Sequence, residues 1–140
     1  MFVARTDFWT ATEMGDQAEL TRIRELYRRV LYESAAVFSP PGAGYNCHRH
    51  AEAWAYKRLL LTCPLHERVL LPEPALWSEE AIHVQYAWDG SDLEERSLWM
   101  LDNLDALKDR VDEGFGYYLR WAPTETQLAL VYERLTALMS

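Results

Sequence analysis

Two cysteines in 140 residues, Cys47 and Cys63, are too few for the disulfide framework of a small secreted domain. Long apolar runs are missing as well: none approaches the roughly 20 residues that a membrane-spanning helix needs. Residues 1–16, MFVARTDFWTATEMGD, carry neither the cationic stretch nor the unbroken apolar stretch of a signal peptide. These absences together predict a protein of the reducing cytoplasm. Positive charge is scarce, with 14 Lys and Arg against 22 Asp and Glu and a net charge of −8. At long range such a chain repels phosphate backbones and anionic lipid, so neither nucleic acid nor membrane is expected as a direct partner. Catalytic and cofactor signatures are absent too. There is no G-x-S-x-G, no H-E-x-x-H, no Asp-rich calcium loop, and no Walker or dinucleotide-binding glycine pattern. No cofactor is expected, and nothing in the sequence assigns catalysis.

What is present is core material. Hydrophobic residues make up 49% of the chain and 18 aromatics include six tryptophans, which excludes a disordered segment. A chain of this length buries roughly two-thirds of its unfolded surface as one unit, so residues 1–140 are read as a single domain. Neither an internal repeat nor a low-complexity stretch interrupts it.

Local patterns predict a sequence of elements. Residues 2–9 alternate Phe2, Ala4, Thr6 and Phe8 with Val3, Arg5, Asp7 and Trp9, as a short strand does. Asp16 with Glu19 makes a capping-box-like start, and Leu20, Ile23, Tyr27, Val30 and Leu31 continue at helical spacing through 16–36. A loop at Ser39-Pro40-Pro41-Gly42-Ala43-Gly44 leads to a second helix over 48–62, stopped by Pro64. Residues 64–80, with three prolines, read as irregular with a helical turn at 65–71. Ile82, Val84, Tyr86 and Trp88 alternate with His83, Gln85 and Ala87 as a strand, with His83 on the side away from the apolar face. Asp89-Gly90 turns the chain, Ser91 with Glu94 caps a helix over 92–112, and Gly114 suits its C-terminal cap. Alternation from Phe115 to Trp121 predicts another strand, and Thr124 opens a last helix with Leu128, Val131, Leu135 and Leu138 on its core side. The expected fold is α+β, a small two- or three-stranded sheet packed against about four helices, with an all-α bundle as the alternative.

The stretch YNCHRHAEAWAYKRLLLTCPLH holds both cysteines and three of the four histidines, as two C-x-x-H pairs twelve residues apart. Thiolate and imidazole are zinc chemistry, and the spacing is near that of known zinc sites. Read as one helix, however, the intervening segment is roughly 18 Å long and holds the pairs apart. No metal is expected. A different site is offered at its start: Gly44 and Asn46 lead into a helix whose first turn carries His48, Arg49 and His50. Glycines, an unpaired helix N-terminus and cationic side chains suit a phosphate or carboxylate, so this is the alternative reading, a small enzyme or anion- or nucleotide-binding domain.

The stronger signal is charge asymmetry. Residues 1–58 hold eight Lys/Arg and seven Asp/Glu, whereas residues 59–140 hold six and fifteen. On a helical wheel Leu93, Met100, Leu104, Leu107 and Val111 fall within about 60° of one another and form a core stripe. Glu95, Asp102, Asp105, Asp109 and Asp112 fall within about 100° on the far side, and Trp99 lies outside the apolar stripe. Like charges three and four residues apart repel by a few tenths of a kcal/mol per pair, which a surface selected for solubility alone avoids by mixing signs. The expected function is a small acidic interaction module, of inhibitor, immunity or adaptor type. It would bind a basic protein surface through Glu95, Trp99, Asp102, Asp105, Asp109 and Asp112. If that partner itself binds nucleic acid, the ladder stands in for phosphates. Arg22, Arg24, Arg28 and Arg29 of the first helix offer a counterpart within the chain or across a homo-oligomer such as a symmetric dimer.

Overall fold

The computed structural model describes residues 15–41, 48–68 and 71–123, together with 125, 126, 128, 129, 132, 133 and 136. The expected strand at 2–9 and the cap at Thr124 lie outside them. Residues 1–34 and 35–140 form two compact units. In the first, helix α1 spans Gln17–Glu33, and Glu19 N donates to Asp16 Oδ1 at 3.0 Å, the cap expected from the sequence. Its buried residues are Leu20, Ile23 and Leu31. The helix ends at Glu33, three residues before the expected boundary, and is capped by Ser34, whose backbone is extended and whose N–H reaches Val30 O at 3.0 Å.

The second unit confirms the α+β class: a parallel three-stranded sheet, ordered β1-β2-β3, with helices α2 to α5 around it. Strand β1 is Ala36–Ser39, α2 is His48–Ala55, β2 is Leu59–Thr62 and β3 is Val84–Gln85. β1 pairs with β2 from Ala36↔Leu59 to Ser39↔Thr62, and β2 pairs with β3 at Leu61↔Val84 and Thr62↔Gln85. Between β2 and β3 the chain makes a 3-10 turn at Leu65–Glu67 and helix α3 at Pro74–Ser78. After the turn at Asp89-Gly90 come α4, Leu93–Asp102, and α5, Lys108–Trp121. Beyond Pro123 the described residues are helical, with Leu128 exposed rather than on the core side, and Val131, Leu135 and Leu138 outside the description. Among the described residues no helix is long and apolar enough to cross a membrane.

Several expected elements are corrected. The helix over 48–62 ends at Ala55; Tyr56 and Lys57 turn the chain, with Lys57 at φ +52, and Leu59–Thr62 become the central strand. All four of its residues are buried, because a central parallel strand is covered on both faces and reads as a continuous apolar run with no period of two. The strand at 82–88 shrinks to Val84–Gln85, and His83, rather than facing away from the core, is fully buried.

The strand expected at 115–121 is the second half of α5. Gly114 does not cap a helix but sits inside one, where a Cβ would overlap Trp54 Cδ1 and lie 2.8 Å from its Nε1. The contact stripe of α5 is therefore Gly114 and Tyr117, three apart, and α5 packs on α2 through it. A glycine contributes nothing to an apolar count, so the helical period is blank where the packing is closest.

The helix over 92–112 is also broken. Its cap is not the Ser91–Glu94 box; Asp92 occupies the N-cap without a side-chain cap bond, its Oδ1 accepting instead from Ala87 N at 2.6 Å. Residues 103–107 form turns between α4 and α5. Asn103 Nδ2 donates to Trp99 O at 2.8 Å, so a side chain competes for the backbone carbonyl at the end of α4. Asp102, Asn103 and Asp105 are poor helix formers that also crowd like charges together. The acidic ladder is thus carried by two helices and the turn between them, not by one rod.

The core is aromatic. Trp54 meets Trp77 edge-on with centroids 5.4 Å apart, and Tyr117 lies 5.1 Å from Trp54 and 5.9 Å from Trp77. Each such pair adds about 0.5–1.5 kcal/mol beyond burial. Their polar atoms are matched: Trp54 Nε1 donates to Ile82 O at 3.0 Å, Trp77 Nε1 to Tyr117 Oη at 3.2 Å, and Tyr117 Oη to Pro72 O at 3.3 Å.

Candidate functional site

The histidine stretch turns inward. Reversal of the chain at Lys57 brings His50 Nε2 within 3.2 Å of Thr62 Oγ1, whose hydroxyl donates to Ser39 O at 3.1 Å. The premise that one long helix separates the two C-x-x-H pairs is therefore wrong. Even so, among the described residues no group of three His, Cys, Asp or Glu could hold a metal ion. Cys63 is fully buried. His83 lies against Trp77, with ring centroids 5.1 Å apart and planes tilted by 50°, and neither of its ring nitrogens is hydrogen-bonded among the described residues. Burial, with lesser contributions from Arg110, His66 and His50, pushes its pKa down to about 3, so the ring is neutral. Tyr86, also buried, is pushed up to about 12 by burial and then by Cys63. Of the residues considered for anion binding, His50 is buried, His48 is exposed, Arg49 is half-buried, and Gly44 and Asn46 lie outside the description.

The acidic residues turn outward. Glu95 and Asp102 are exposed on α4, Asp105 in the turn, and Asp109 and Asp112 on α5. Asp105 meets Lys108 at 2.7 Å, both largely in water, and the hydrogen bond from Lys108 holds the Asp105 carboxyl below its usual range. Asp112 lies 3.8 Å from Lys57. At such exposure these pairs neutralise little. Glu95, Asp102 and Asp109 have no ion pair among the described residues.

The two arginines of this segment are both engaged by Glu80. Its backbone is left-handed, φ +53, and its carboxylate accepts from Arg96 Nη2 at 2.7 Å, Arg110 Nη1 at 3.2 Å and Gln85 N at 3.2 Å. Arg96 Nε also donates to Gln85 O at 2.6 Å, and Arg110 Nη1 to His83 O at 2.9 Å. The guanidiniums lie 5.0 and 6.0 Å from the ring of Trp99, which they hold at the border of the acidic face with 38% of its surface exposed. Arg96 and Arg110 are thereby engaged by Glu80, and the cations that meet the ladder are Lys108, at Asp105, and Lys57, at Asp112.

Two residues not singled out from the sequence are exposed among these acids. Leu98 and Leu101, on α4 with Glu95 and Asp102, are 56% and 51% exposed. The helical wheel contained the signal: Leu98 falls about 40° from Asp102 and about 60° from Glu95, well away from the Met100 stripe. Comparison of the chain with protein-family models, with curated proteins and with solved structures returns no match.

Proposed function

We propose that this protein is a protein-interaction module, of inhibitor or adaptor kind, that captures a basic protein surface with the acidic face running from Glu95 to Asp112. The observation that carries the reading is the division of charge around Glu80. Arg96 and Arg110 are engaged by a single carboxylate, while Glu95, Asp102 and Asp109 are exposed and have no ion pair among the described residues. A negative field of this kind speeds encounter with cationic surfaces and selects against anionic ones. Trp99, held by two guanidiniums, is an aromatic anchor at the edge of that field. If the captured protein binds nucleic acid, the same carboxylates occupy the positions its phosphate contacts would take.

The test is charge reversal. Affinity capture from the cells that make the protein is compared for the wild type and for the Asp102→Lys, Asp105→Lys, Asp109→Lys variant. The expected result is a basic protein retained by the first and lost by the second, with circular dichroism of the variant unchanged. Equal capture by both would refute the reading.

A further inference from the structure

Resting on the acidic-face reading, a narrower one follows from the leucines within that face. We infer that the solvent side of α4 seats a cationic amphipathic helix of the partner protein. Its apolar ridge covers Leu98 and Leu101, and its flanking lysines and arginines meet Glu94, Glu95 and Asp102. Leu98 and Leu101 are three residues apart, so their side chains are neighbours on one helix surface, and both are more than half exposed. Large aliphatic side chains in that position gain nothing for this chain alone, whereas burial of each by a partner strengthens association. The acids around them decide what covers them. Glu94, Glu95 and Asp102 are all exposed, and the one cation of α4, Arg96, is engaged by Glu80 and Gln85. Anionic lipid is repelled by this rim. A second copy docking α4 on α4 would set carboxylates against carboxylates. An apolar ridge bordered by positive charge, at helical period, matches both the leucine spacing and the sign of the rim.

The experiment uses the full chain and two labelled synthetic peptides of identical Leu/Lys composition. One is ordered at helical period and the other scrambled to remove the apolar face, and both are followed by fluorescence anisotropy at physiological salt. The ordered peptide should bind about tenfold tighter or more, the gain expected from burying two leucines. Leu98→Ser with Leu101→Ser should remove that margin while leaving the thermal midpoint in place. The Asp102→Lys, Asp105→Lys, Asp109→Lys variant should weaken both peptides alike. Equal binding of the two peptides, or a margin that survives the leucine substitutions, overturns this inference and leaves the acidic-face reading standing. If neither peptide binds, or the lysine variant binds both as the wild type does, that reading falls and this one with it. Concentration-dependent dimerisation that the leucine substitutions abolish would also overturn it, by assigning the face to a second copy.

Discussion

Helices α2 and α4 are short, eight and ten residues, and each carries side chains on the side where composition would not put them. On α2 an imidazole, His50, is buried; on α4 two leucines, Leu98 and Leu101, are in water. The first is explained within the chain, since His50 meets Thr62, Trp54 and Trp77 and completes the aromatic core. The second has no such explanation inside the described residues. A buried polar group that finds partners is packing, whereas the exposed leucines of α4 gain little from the fold that carries them. That difference is why the functional reading rests on α4 and not on the histidine-rich helix.

Removing the centre of the enclosed side should have the largest effect. Trp77→Ala takes away the ring that touches Trp54, His50, His83 and Tyr117, and should cost about 3–5 kcal/mol in urea unfolding. A loss under 1 kcal/mol would mean that the core is not built around it.

Acid should act next, through His83. Its folded-state pKa is lowered to about 3 from an ordinary 6.5, so between those values the unfolded chain binds more protons than the folded one. Stability is complete above pH 6.5 and falls as pH drops, by about 2 kcal/mol at pH 5. Carboxylates titrate lower, so His83→Leu should flatten the profile between pH 6.5 and 5; an unchanged slope would show that another group sets it.

Gly114→Ala tests the approach of α5 to α2. Helix propensity alone favours alanine by about 1 kcal/mol, but overlap with Trp54 should reverse the sign and destabilise by roughly 1–2 kcal/mol. A stabilised variant would show that the indole yields. At the small end, Leu98→Ser with Leu101→Ser should leave unfolding stability within about 0.5 kcal/mol, because little apolar burial is lost. A large loss would place those leucines in the fold and remove the contrast with α2.

Elements with local chemistry were readable in the chain. The Asp16–Glu19 cap, the apolar spacing of α1 and the Asp89-Gly90 turn each depend on residues within a few positions of one another. The sheet was not readable in the same way. Leu59, Leu60 and Leu61 look alike in a buried strand and a buried helix, and only pairing with Ala36–Ser39, more than twenty residues earlier, makes them a strand. Phe115 to Trp121 misled for the complementary reason: the closest packing position of α5 is a glycine, invisible to hydrophobicity. At the candidate site the signs of the charges were legible, but their partners were not. Nothing local indicates that Glu80 would draw in Arg96 and Arg110, sixteen and thirty residues away.

Composition and order alone determined the acidic balance and the concentration of carboxylates in the segment from 89 to 114, because these are sums over residues. Tertiary structure decided which of those charges remain in water, where the long helix breaks, and that two leucines of α4 stay exposed. Each of these depends on contacts between residues distant in the chain. A left-handed turn at Glu80, placed beside β3 by the sheet, engages Arg96 and Arg110, while Glu95, Leu98, Leu101 and Asp102 of α4 stay exposed.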